Sequence, residues 1–207
     1  MNRVHIRRAM QGLCAADSDV AREHAWIGAP APRNSPQGFA TLLQTIVSQQ
    51  VSTAAARTIY ARVEALLGEA LPERLLAVGN DALRGAGMSG RKAEYALGLA
   101  AAIVDGSFPI DALGKLSREQ AVEEITRLRG FGQWSAEIYC MFSLRHQDVF
   151  PADDLALLTA LQAMKQLASR PKPREARELT AHWAPFRSTG ALFLWHWYHD
   201  YRSSASG

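Results

Sequence analysis

Cysteine is scarce in this 207-residue chain: there are two, Cys14 and Cys140. Two thiols cannot build a four-thiolate zinc or iron–sulfur centre, and a disulfide framework needs more of them. Long apolar runs are missing as well. None approaches the roughly 18 residues that a membrane span requires. The first eight residues are basic but open onto no apolar stretch of the kind a secretory signal carries. The chain is therefore expected to be soluble, with no membrane partner, and to work in the cytoplasm, close to the nucleoid if its source is bacterial. An excess of one charge is also lacking, since 23 Lys and Arg stand against 20 Asp and Glu, a net +3. That balance permits a nucleic-acid partner without requiring one. The six histidines fall in no HExxH or paired His/Cys spacing, so no catalytic metal is expected. Neither GxSxG nor a Walker A loop is present, and no repeat of 20–50 residues is visible.

What is there is helical periodicity. At 48% hydrophobic and 21% charged residues the composition is that of a globular chain. Pro30, Pro32 and Pro36 break it early. Phe39, Leu42, Leu43, Ile46 and Val47 then recur at helical spacing, and the next position on that stripe is the polar Gln50. Further helices are read over 53–67, 71–78 and from a Ser89 cap to about 104. Ser117 and Gln120 form a capping box that opens another, with Ala121, Val122, Ile125 and Leu128 inward. Helices follow from about 133, from Asp153 or Asp154 to about 167, near 174–183 and near 187–198. Residues 1–37 look mixed, and no run alternates as a strand would. The class is all-α.

The stretch Leu128-Arg129-Gly130-Phe131-Gly132-Gln133-Trp134-Ser135 joins two of these helices through Gly-hydrophobic-Gly. Glycines there allow positive φ and the close approach of another backbone. The second helix opens with N–H groups that have no helical acceptor, a place where a phosphodiester would fit. On spacing alone the same residues make an ordinary αα-hairpin with a glycine cap equally well.

Beyond the hairpin comes Val149-Phe150-Pro151-Ala152-Asp153-Asp154-Leu155. With this loop the chain resembles the helix-hairpin-helix DNA glycosylases that carry a Gly/Pro-rich loop and an essential aspartate (HhH-GPD). It is most similar to their 3-methyladenine DNA glycosylase II branch. Ile46-Val47-Ser48-Gln49-Gln50-Val51-Ser52 and Gly87-Met88-Ser89-Gly90-Arg91-Lys92-Ala93 add to the likeness. So does Trp183-Ala184-Pro185-Phe186-Arg187-Ser188, running on to Leu194-Trp195. The resemblance covers about residues 38–199. It implies a two-lobed fold, with a helical barrel over 38–148 that includes the helix-hairpin-helix at 117–143. The second lobe would combine 1–37 with 149–207, the active cleft lying between the two. The 37 residues ahead of it are too few for the N-terminal β domain that one branch member carries, so that domain is expected to be missing.

The resemblance also implies the chemistry. The activity would be hydrolytic release of alkylated bases of the 3-methyladenine and 7-methylguanine type from double-stranded DNA, by a monomer. A sibling glycosylase for uracil, hypoxanthine or mismatched bases is one alternative. A non-catalytic helix-hairpin-helix DNA binder is the other. Asp154 matches the essential aspartate, and the helix cap is assigned to Asp153 beside it. Trp134 stands where bifunctional members carry lysine, so no Schiff base can form and no lyase activity is expected. Trp134, Trp195 and Ile138 would wall the base pocket, an electron-rich surface for a cationic purine. The branch member known best has tyrosine where Ile138 stands, and Trp26 is a candidate to fill that gap. Trp183 and Trp197 are read as packing. Gln50 would fill the space left by the flipped base. The amides of Gly130, Gly132 and Ser135 would hold one phosphate, and Ser89, Gly90, Arg91 and Lys92 would touch a second. The carbonyls of Thr126, Leu128 and Phe131 match those that ligate a structural Na+ or K+ in relatives, and no other cofactor is required.

Overall fold

The computed structural model describes residues 1–205, with side chains through residue 202. Among these residues there is no strand. In chain order the helices are α1 (Arg3–Ala16), α2 (Ser18–Ile27), α3 (Phe39–Ser48), α4 (Thr53–Leu67), α5 (Pro72–Gly85) and α6 (Gly90–Val104). They continue with α7 (Arg118–Arg127), α8 (Gln133–Phe142), α9 (Leu155–Met164), α10 (Pro173–Leu179) and α11 (Arg187–Ala205). Short 3-10 helices lie at Ile110–Lys115 and Ala181–Trp183. The chain forms two compact units, residues 35–139 and residues 1–34 with 140–207. The second crossing falls within α8, nine residues before the boundary expected at 148/149. The last turn of α8 explains this: Phe142 packs its ring 5.9 Å from that of Trp195 on α11.

In the unit of residues 35–139 the core follows the periodicity. Phe39, Leu42, Leu43, Ile46 and Val47 of α3 are all buried, as are Ala93, Ala96, Leu99 and Ala100 of α6. Each large aliphatic side chain taken from water contributes roughly 1.5–3 kcal/mol. α5 packs along α6. The helix expected over 71–78 continues to Gly85, because Gly79 at φ 73 kinks the chain and a second helical stretch follows. Ser89 accepts the Lys92 N–H and caps α6. The Ser117–Gln120 capping box opens α7, whose Ala121 and Ile125 are buried while Val122 and Leu128 are only partly covered.

The other unit departs further from expectation, since residues 1–37 contain two helices. Asn2 caps α1 by accepting the His5 N–H at 2.8 Å. Ile6, Ala9, Met10 and Leu13 make its buried stripe. α1 packs on α2 and α11, and α9 packs on α11. Asp17, 4% exposed, stands between α1 and α2. Its carboxylate caps α2 and accepts bonds from Lys165 Nζ at 2.7 Å, Trp183 Nε1 at 2.7 Å and His182 Nε2 at 2.9 Å.

Candidate functional site

Asp154 is half-buried at the N-terminus of α9, where a helix dipole favours negative charge. Its Oδ1 accepts the Leu157 N–H at 3.0 Å and the Trp195 indole N–H at 3.1 Å. The helix cap is thus Asp154 and not Asp153. Asp154 has the extended φ −78, ψ 115 of a cap, and the helix begins at the next residue. Asp153 is exposed and pairs with Arg177 at 3.4 Å.

The segment leading to Asp154 is held from the start of α11. Arg187 makes a two-pronged pair with Asp148, Nε to Oδ1 and Nη2 to Oδ2, both at 2.6 Å. Buried Ser188 accepts the Val149 N–H at 3.0 Å and donates to the His146 carbonyl at 2.7 Å. Phe142, beside Trp195, carries the Arg33 guanidinium 4.5 Å from its ring centre. Arg33 sits in the proline-rich break, where no periodic signal in the sequence marks it. Trp26 does not join this group. It is 84% exposed and lines a groove with Trp197, Asp200 and Tyr201, whose walls include neither Asp154 nor Trp195. Trp183 and Trp197 are buried, their indoles donating to Asp17 and Glu23.

In the unit of residues 35–139, Trp134 and Ile138 stand one turn apart on α8 and share a face. Trp134 is 39% exposed and Ile138 partly so, unlike the buried Ala136 and Tyr139 on the same helix. The hairpin loop before them is a β-turn closed by the Phe131 N–H on the Leu128 carbonyl at 3.1 Å. Its third position, Gly130, has φ 95, which a type II turn demands. A Cβ there would lie 2.4 Å from the Tyr95 ring, so glycine is required twice over. The first helical bond of α8 joins the Ala136 N–H to the Gly132 carbonyl, so the amides of Gly132 and Ser135 precede it. Thr126 lies in the last turn of α7, Leu128 caps that helix and Phe131 closes the turn, its N–H donating to the Leu128 carbonyl. Neutral carbonyl oxygens, two of them at the C-terminus of α7, suit a monovalent cation in kind. Among the described residues no group of three His, Cys, Asp or Glu side chains is placed to hold a metal.

Gln50 lies outside the helix on which its spacing had placed it. α3 ends at Ser48, and Gln50 is exposed at φ 54. A non-glycine residue pays about 1–2 kcal/mol for that left-handed conformation. Ser89 and Arg91 are exposed at the start of α6 and Gly90 is partly so. Lys92 is turned to another use: its Nζ donates to the Val47 carbonyl at 2.7 Å, and burial lowers its pKa.

A family model described as HhH-GPD superfamily base excision DNA repair protein matches residues 43–186. The chain is 29% identical to DNA-3-methyladenine glycosylase 1 of Schizosaccharomyces pombe over 197 residues, which covers 92% of this chain and 86% of that one. It is 31% identical to DNA-3-methyladenine glycosylase 2 of Escherichia coli over 165 residues, 74% of this chain and 55% of that one. Among solved structures, a DNA-3-methyladenine glycosidase from Bacillus halodurans superposes with a TM-score of 0.83 at 30% identity, covering 94% and 91% of the two chains. The S. pombe 3-methyladenine DNA glycosylase in complex with abasic DNA gives 0.82 at 28%, covering 91% and 95%.

Proposed function

The chain belongs to the HhH-GPD superfamily of base excision DNA repair proteins, and from that membership we propose the reaction: hydrolytic release of alkylated bases from duplex DNA, leaving an abasic site. Relatives and structural neighbours named for 3-methyladenine support this over a uracil or mismatch sibling. The observation that carries it is the Asp154 carboxylate, fixed by the α9 cap and by the Trp195 indole. A helix cap alone would not call for the second donor, the Trp195 indole, on the same carboxylate oxygen.

Breaking an N-glycosidic bond builds positive charge on the deoxyribose. A fixed carboxylate stabilises that charge and orients the attacking water. At about 4 Å and an effective dielectric of about 20 the interaction is worth roughly 4 kcal/mol, on the order of a thousandfold in rate. Trp134 and Ile138 on their shared face, and Trp195, supply the apolar surface for the base. Trp134 offers no amine, so the reaction stops at base release without strand cleavage. Gln50 fills the gap left by the base. The Gly130, Gly132 and Ser135 amides take one phosphate, and the α6 start with Ser89, Gly90 and Arg91 takes another. A sodium or potassium ion on the Thr126, Leu128 and Phe131 carbonyls would tie the turn to that first phosphate. The partner is a duplex holding one damaged base, and the enzyme acts as a monomer in the compartment that holds the DNA.

Base-release assays on duplexes carrying 3-methyladenine, 7-methylguanine, hypoxanthine, uracil or a mismatch test the reading. Release of the methylated purines is expected, with a loss of about a thousandfold in Asp154→Asn at unchanged DNA affinity. Full activity in that variant, or a borohydride-trapped enzyme–DNA adduct, would overturn it.

A further inference from the structure

We propose that Gln49 and Lys92 are positioning residues that lock the Gln50 segment to the hairpin turn, so that gripping the backbone and filling the flipped-base gap act as one preformed device. The inference rests on the functional reading above. It starts from an oddity of the backbone. Gln50 is exposed yet left-handed, at φ 54. Such a conformation persists only where its surroundings over-determine it.

Three contacts supply that constraint, and each comes from an element that the proposed function uses. Gln49, the residue after α3, donates Nε2 to the Gly130 carbonyl at 2.7 Å. Lys92, in the first turn of α6, donates Nζ to the Val47 carbonyl at 2.7 Å. Tyr95, three residues further along α6, lies against Gly130 so closely that a Cβ there would meet its ring. One helix thus braces both ends of the arrangement, the end of α3 through Lys92 and the hairpin turn through Tyr95. Gln49 closes the triangle.

The charge of Lys92 is placed for this and not for a phosphate. It faces the carbonyl end of α3, where the helix dipole favours a cation. Its stem is partly covered, and burial lowers its pKa. The order needed to hold Gln50 outward is then set before DNA arrives, which is how preorganisation raises affinity.

The test uses the full chain with Lys92→Met and Gln49→Leu, each keeping the apolar stem, and Lys92→Arg, which keeps a donor. Single-turnover release is measured from a paired duplex and from the same lesion inside an unpaired bubble, with binding followed against salt. Each stem-only variant is expected to lose about tenfold on the paired duplex and about twofold or less in the bubble, where no base has to be flipped. Lys92→Arg should recover most of the paired-duplex rate. The salt slope should stay at the wild-type value. Equal losses on both substrates would overturn the proposal. So would a slope shallower by about one unit in Lys92→Met, which would make Lys92 a phosphate contact. A wild type that releases no base from either substrate would instead strike the functional reading itself.

Discussion

At the scale of single residues, Trp195 donates its indole N–H to the same Asp154 oxygen that caps α9. The carboxylate is therefore oriented by a backbone amide on one side and a side chain on the other. A hydrogen bond to a charged group is worth about 1.5–3 kcal/mol. Trp195→Phe keeps the ring and removes the donor, so kcat should fall by about tenfold while KM holds, with thermal unfolding as the control for packing. A rise in KM with kcat unchanged would mean that the indole N–H serves base binding and not the orientation of Asp154. Asp154 could be singled out in the sequence because its loop matched a motif. Its second duty could not. Of two adjacent aspartates either can cap, and which one does is decided by where helical φ and ψ begin. Asp153 was left to its pair with Arg177.

At the scale of elements, the segment between α8 and α9 has little regular structure of its own and is held by the first turn of α11. Ser188 is its fully buried pin, joined to Val149 on one side and His146 on the other. Ser188→Ala removes both bonds and should lower the unfolding free energy by about 1–3 kcal/mol in urea titration. The loss in base release should exceed the change in DNA affinity, because the loop that carries Asp154 is what loosens. No periodicity announces such a pin. α3, α4 and the opening of α7 were legible because their stripes, caps and capping box are local signals. α1 and α2 were missed although Ile6, Ala9, Met10 and Leu13 stand at helical spacing. Arginines and a histidine surround that stripe, and its first cap is the single Asn2. Gln50 was placed on a helix because the stripe of α3 extrapolates to it. The end of α3 is set by contacts from α6 and the hairpin, which lie far away in sequence.

At the scale of the molecule, Asp17 ties distant parts of the chain together. Burial pushes its carboxyl up. The bonds from Lys165, Trp183 and His182 and the Lys165 charge outweigh that and hold it far below the usual carboxylate range. A carboxyl depressed in the folded state stabilises fully above its unfolded value of about 3.9 and loses that contribution as pH falls toward the folded value. Asp17→Asn should cost about 1–3 kcal/mol near neutral pH, since the Lys165 ammonium loses its buried partner and keeps only the partly exposed Asp19 carboxylate at 3.3 Å. The variant should also lose less than wild type between about pH 5 and pH 3, which urea unfolding at stepped pH would read. The partners lie at residues 17, 165, 182 and 183, while residues 35–139 form a compact unit of consecutive chain. Residues 35–139 thus interrupt, in sequence, a unit whose own residues come from both sides of them. During synthesis the interrupting unit can close as soon as it emerges. α1 and α2 precede it in the chain, and their carboxylate meets Lys165, His182 and Trp183 only once the residues beyond 139 have been made. For α1 and α2, the order of synthesis and the order of folding run opposite ways.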